Sequence, residues 1–187
     1  MDIKIPAGRI NLCAYAERHI EPLHAAVLAS IPELPTYETW AHAAYSLEEA
    51  AQYVNWWRQA RDRKQAYYFA VEECDTGRLL GSCGISDLLH DHHRAGLGFW
   101  IRQDFTNQGY ATEAAKAVLA LGFRELELNR IELEIAVNNQ ASRRVAEKLG
   151  TVYEGTLRQR LFLPAGPVDT AIYSALRDEW LPLQQER

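Results

Sequence analysis

The stretch Phe99–Phe123, FWIRQDFTNQGYATEAAKAVLALGF, opens as an aromatic strand, crosses a polar turn and continues as an alanine-rich helical pattern. A helix N-terminus leaves several backbone N–H groups unpaired and carries partial positive charge, so a tight turn of small residues there is a ready anion site. Gly109 and Ala111 let a phosphate reach the backbone, while Thr112 adds a hydroxyl donor and Gln108 an amide. Pyrophosphate is the anion such a turn holds best. The glycine-rich loops of triphosphate-binding and dinucleotide-binding folds are both missing from the sequence. The turn by itself therefore leaves a second reading open, in which Gly109 merely serves turn geometry.

Working outward, strands precede and follow this junction. GRINLCAYA alternates as a first strand, and Glu17–Ser30 has helical spacing that ends at Pro32 and Pro35. A loop containing Trp40 leads to SLEE, a capping box in which Ser46 faces Glu49. AYYFAVEE, LLGSCGISDLL and AGLGFWI read as three antiparallel strands, with HDHHR as a turn. After the helix from about Gln108 to Leu126 come the strand RIELEIAV, the helix NQASRRVAEKL closed by Gly150, and two strands joined by the turn PAGP. The expectation is one α+β domain over residues 1–187, its mixed and mostly antiparallel sheet holding about seven strands with helices on both faces.

Composition narrows the function classes. The 187 residues are 48% hydrophobic, enough for a real core, and the net charge of −5 with scattered Lys and Arg gives no basic stripe for nucleic acid. No apolar run approaches a membrane span and the N-terminal stretch has no signal-like core, so a cytoplasmic protein is expected. Cys13, Cys74 and Cys83 form no CxxC pair and read as reduced thiols.

Downstream, IAVNNQASRRVAEKLGTVYEGTLR carries a resemblance. With LGFWI leading to NQGYATEA, then NQAS, AEKLG, YEGTLR and Asp169 in PVDTAIYSAL, the chain resembles the GNAT superfamily of N-acetyltransferases, and within it the RimJ/RimL branch, which acetylates N-terminal amines of ribosomal proteins. The resemblance implies a splayed parallel strand pair, GLGFWI and RIELEIAV, that holds acetyl-CoA as co-substrate. Its pantetheine would bond backbone at Phe99, Trp100 and Ile101, and its pyrophosphate would meet Asn107, Gln108, Gly109, Tyr110, Ala111 and Thr112. It further implies that Asn139 binds pantetheine and that Ser142 lies near the sulfur and protonates the departing thiolate, although both residues also suit plain helix capping. A backbone N–H at Phe99 or Trp100 would meet the oxyanion. Trp40 and Glu38 belong to the loop that lines the acceptor side. The sequence departs from the family pattern at Thr106, where Gln or Arg is usual, and at Gly96, where many branch members carry Glu.

Acetyl transfer needs a neutral amine. An α-amine with a pKa of about 7.8 is roughly 15% neutral at pH 7, against about 0.04% for lysine near 10.4. A site without a dedicated carboxylate therefore favours an N-terminal acceptor, and a protein or peptide α-amine is the leading expectation. A polyamine or aminoglycoside acceptor and a non-catalytic acyl-CoA sensor are the alternatives. Glu38, His42, Glu132 and Glu134 are base candidates, each with an ordinary reading as a solvated side chain. The histidines of HDHHR fit no zinc spacing, so no metal is expected. A homodimer is compatible with the sequence.

Overall fold

The computed structural model describes residues 3–183. Eight strands form one sheet in the order β1-β2-β3-β4-β5-β6-β8-β7. They are β1 (Lys4–Ala7), β2 (Ile10–Ala14), β3 (Tyr67–Glu73), β4 (Leu79–Leu89), β5 (Arg94–Ile101), β6 (Arg130–Ala136), β7 (Val152–Leu163) and β8 (Gly166–Leu176). The helices are α1 (Ile20–Leu28), α2 (Leu47–Asp62), α3 (Tyr110–Arg124), α4 (Gln140–Lys148) and α5 (Arg177–Leu183). All neighbouring strands are antiparallel except β5 and β6, which the crossover helix α3 joins as a parallel pair.

Seven strands are legible in the sequence and the eighth is β1, four residues with one proline, whose alternation is too short to register. It pairs with β2 from Lys4 opposite Cys13 to Ala7 opposite Ile10. The helix expected over Glu17–Ser30 starts with a 3-10 turn at Glu17–His19 and ends at Leu28. Helix α5 is unanticipated because it follows β8 without a turn residue; it buries Trp180, whose indole N–H donates to the Leu149 carbonyl at 2.9 Å.

Each face of the sheet has its own core. On one face α3 buries Ala114, Ala115, Val118, Leu119 and Phe123, a stripe with helical period, against Ile85, Leu97 and Ile131 of the strands. On the other, Leu23 and Val27 of α1 and Ala50 and Val54 of α2 enclose Tyr15, Ala70 and Trp100. Ser46 caps α2 as expected: its hydroxyl accepts from the Glu49 N–H, and the Glu49 carboxylate accepts from the Ser46 N–H at 2.8 Å. Asp169 has a structural task, accepting at 2.9 Å from the N–H of Gln159, a residue with φ of 50° in the irregular middle of β7.

Candidate active site

β5 and β6 stay paired for three residues, Arg94 with Arg130, Ala95 with Ile131 and Gly96 with Glu132, and then part. Beyond Gly96 the facing strand edges have no ladder partner in one another, and a cavity of about 380 Å³ fills the gap. Leu97–Ile101 line one wall and Leu133–Ala136 the other.

Strand alternation decides which backbone groups face the gap. The Arg102 N–H donates to Leu80 of β4 at 2.7 Å, and the Trp100 carbonyl is turned toward β4, where a Cβ on Gly81 would lie 2.1 Å from it. Backbone groups point to alternate edges along a strand, so those of Leu97, Phe99 and Ile101 face the gap and that of Trp100 does not. Of the two oxyanion candidates, Phe99 has the orientation.

The cavity runs on to the start of α3, where Asn107, Gly109, Tyr110, Ala111 and Thr112 line it. Asn107 has φ of 60° and Gly109, the N-cap, 91°, two left-handed residues in succession of alternates that curl the turn around the helix end. Arg9 braces this turn: its guanidinium donates to the Gln108 carbonyl at 2.7 Å, pairs with Glu113 at 2.5 Å and lies 4.5 Å over the Tyr110 ring. The Gln108 side chain donates to the Asp104 carbonyl at 3.2 Å and is not among the lining groups. Arg144 and Lys148, one turn apart on α4, also line the cavity. Sequence reasoning passed over them, though basic residues at i and i+4 share one helix face, and that spacing is the signal that could have found them. These groups fit a CoA diphosphate: helix-start amides, small side chains and two cations.

Ser142 and Asn139 both line the cavity. The Asn139 amide oxygen accepts from the Ser142 N–H at 3.1 Å, which makes Asn139 the cap of α4 and leaves its amide NH2 and the Ser142 hydroxyl available on the cavity side.

A second cavity, about 370 Å³, opens on the α1–α2 side of the sheet and shares Glu38, Gly98, Phe99 and Trp100 with the first. Its other walls are Trp40, Tyr53, Trp56, Trp57 and Tyr68. The Trp40 indole N–H donates to the Glu38 carboxylate at 2.8 Å, and burial pushes the Glu38 carboxyl up from its ordinary value to about 7 despite that bond. The other base candidates are held in ion pairs, including Glu134, which lines the first cavity. His42 pairs with Glu49 at 2.7 Å, Glu134 with Arg160 at 3.0 Å, and Glu132 with Arg130 at 2.7 Å and Arg94 at 3.2 Å. Near Gly96, the place of the family's glutamate, a carboxylate is present after all: Asp87 Oδ2 would lie 3.4 Å from a Cβ there. The HDHHR histidines lie in an exposed 3-10 turn, and among the described residues no group of three or more His, Cys, Asp or Glu converges.

The comparisons with known proteins agree with this geometry. A model of the acetyltransferase (GNAT) domain matches residues 9–152. The uncharacterized N-acetyltransferase YoaA of Bacillus subtilis (strain 168) is 32% identical over 132 residues, covering 71% of this chain and 75% of its own. The ribosomal-protein-serine acetyltransferase of Escherichia coli (strain K12) is 25% identical across 90% of this chain and 93% of its own. The solved structure of RimL, a ribosomal L7/L12 alpha-N-protein acetyltransferase in complex with coenzyme A, superposes with a TM-score of 0.87 at 24% identity, covering 94% and 99% of the two chains. The parted β5–β6 pair, the amide-lined start of α3 and the matched domain model make this chain a member of the GNAT family of N-acetyltransferases.

Proposed function

We propose that the protein transfers acetyl from acetyl-CoA to the N-terminal α-amine of a peptide or protein. The observation that carries this reading is the parting of β5 from β6 after Gly96, which opens a cavity continuous with the Asn107–Thr112 turn and shares a wall with a second, acceptor-sized cavity. Acetyl-CoA, when bound, supplies an activated acyl carbon. Phe99, Ile101 and Asn139, which line the gap, would orient it through hydrogen bonds, while the α3 start, Arg144 and Lys148 would hold its phosphates. The Phe99 N–H is turned toward the gap and would receive the oxyanion charge. Ser142 would donate a proton to the departing sulfur.

A small polyamine acceptor has less support, because the second cavity contains one carboxylate rather than an acidic cluster. A cytoplasmic location belongs to the same proposal, by likeness to the bacterial acetyltransferases the chain matches; among the described residues no helix is long and apolar enough to cross a membrane. A homodimer remains part of the proposal; β7, an edge strand exposing Val152, Leu157 and Phe162, is the surface that would carry it.

The test is a mass-spectrometric screen of peptides with different first residues, alongside free amines, in the presence of acetyl-CoA. Acetylated peptide N-termini are the expected result. Tight CoA binding with no acetylated amine would overturn the reading in favour of a sensor, and turnover of spermidine alone would replace the acceptor class.

A further inference from the structure

Resting on that reading, we propose that the second cavity is a pocket for the acceptor's first side chain, that it selects an amine whose neighbouring substituent is aromatic, and that Glu38 takes the proton from that amine. The walls hold seven aromatic residues, Trp40, Tyr53, Trp56, Trp57, Tyr68, Phe99 and Trp100, with Glu38 as the one carboxylate and no basic residue. A volume of about 370 Å³ holds one ring-bearing side chain with its amine. The rings hold one another in place. Trp57 stacks on Tyr68 with centroids 4.0 Å apart, and Trp40 touches both Tyr53 at 5.0 Å and Trp100 at 5.9 Å. Such a wall is rigid before the acceptor arrives, which keeps the ordering cost of binding low.

Three further observations point to an occupant. Trp56 leaves 68% of its surface exposed at the pocket, an unusual position for the largest apolar side chain unless something covers it. The indole N–H groups of Trp57 and Trp100 are buried donors without a hydrogen-bond partner, a costly arrangement of the kind found where a site is built for function rather than stability. Finally, Gly98 is where the pocket meets β5, and a Cβ there would lie 2.2 Å from the Tyr68 hydroxyl. A bare backbone at this point is what lets the ring wall close against the strand that borders the thioester channel.

Glu38 lines both cavities, so an amine held beside it stands at their junction while its aromatic substituent extends toward Trp56. A single negative charge fits a single ammonium, and the remaining ring walls offer stacking and edge contacts to a flat aromatic group. With a carboxyl at about 7 beside an α-amine of about 7.8, the proton affinities are nearly matched, which suits general-base transfer. Glu38 removes one proton from the ammonium and later passes it to solvent. The freed lone pair forms the C–N bond to the acetyl carbon, the C–S bond breaks, its electron pair leaves on sulfur, the Ser142 hydroxyl protonates the thiolate, and the amine's second proton replaces the one Ser142 gave up.

The experiment has a binding arm and a kinetic arm. Without acetyl-CoA, tryptophan fluorescence is titrated with pentapeptides that differ only in a first residue of Phe or Ala, and with spermidine and choline. The Phe peptide should bind about tenfold more tightly than the Ala peptide, and more tightly than either cation. Equal binding of the two peptides overturns the pocket, and tighter choline binding replaces it with a cation cage. With acetyl-CoA, kcat/KM for the Phe peptide should rise with pH through about 7. Glu38→Gln should lower kcat about a hundredfold, remove that limb and leave the Phe-peptide affinity within about threefold. Trp56→Ala should narrow the Phe-to-Ala ratio of kcat/KM about tenfold. Peptides turned over with no preference for an aromatic first residue would sink this proposal and leave N-terminal acetylation standing. No turnover of any amine would sink both.

Discussion

The two cavities that meet at Gly98–Trp100 are built from different materials. The CoA cavity is mostly backbone: a strand edge without its ladder partner, the amides that begin α3, and a glycine with φ of 91°. The proposed acceptor cavity is mostly side chain, seven aromatic rings and one carboxylate drawn from the α1–α2 loop, α2, β3 and β5. Backbone geometry is set by the fold and tolerates drift in the surrounding sequence, whereas a ring wall changes with every substitution. One scaffold can thus keep its acyl donor while exchanging its acceptors.

The sharpest way to separate the halves is a pair of glycine substitutions. Gly109→Glu puts a side chain in a left-handed position and a carboxylate beside the diphosphate turn, so CoA affinity should fall at least about a hundredfold by calorimetry. Peptide binding in the absence of CoA should survive. Gly98→Ala should do the reverse, because its Cβ collides with the Tyr68 hydroxyl on the acceptor side. If either variant damaged both affinities equally, the cavities would not be independent parts.

A smaller effect distinguishes the halves by stability. Burial lifts the Glu38 carboxyl to about 7, so the native chain binds this proton more tightly than the unfolded chain does. Stability is therefore lost as pH rises from the ordinary carboxylate value toward about 7, and the loss is complete above it. Glu38→Gln keeps an acceptor for the Trp40 N–H and cannot ionise. It should be more stable than the parent by about 3 kcal/mol at pH 8, with little difference at pH 4, as read by denaturant melts at the two values. A stability gain independent of pH would mean that ionisation of Glu38 is not its source.

This contrast also governs what the sequence reveals. The Asn107–Thr112 turn is contiguous, and its anion chemistry follows from helix ends in general, so it is legible before any fold is known. Ser142 and Asn139 are legible only through the resemblance of NQAS to the family, since helix capping alone accounts for both residues. The ring wall is not, since Trp40, Tyr53, Tyr68 and Trp100 have no shared period and meet only after α2 has packed on β3 and β5. Glu38 and Trp40 could be assigned to the acceptor side, but the single charge in an aromatic enclosure could not. Likewise Gly96 reads as a missing carboxylate until the fold brings Asp87 beside it.

Ser142→Ala tests the donor half at a finer level. A thiol leaving group with a pKa of about 8.5 needs less help than an alkoxide, so kcat should fall about tenfold, below the usual effect of a general acid, while CoA affinity is unchanged. Matching losses in kcat and CoA affinity would make Ser142 a binding group only.

Asn139→Ala gives the smallest effect and joins fold to site. Its amide oxygen caps α4 through the Ser142 N–H at 3.1 Å, and losing that bond should cost about 1 kcal/mol of stability. If the amide NH2 also contacts pantetheine, CoA affinity should fall as well. Asn139→Asp separates the two, because a carboxylate keeps the cap and favours the helix start while removing the donor. Restored stability with CoA affinity still reduced would assign both tasks to one side chain; restored affinity would leave Asn139 as a cap alone.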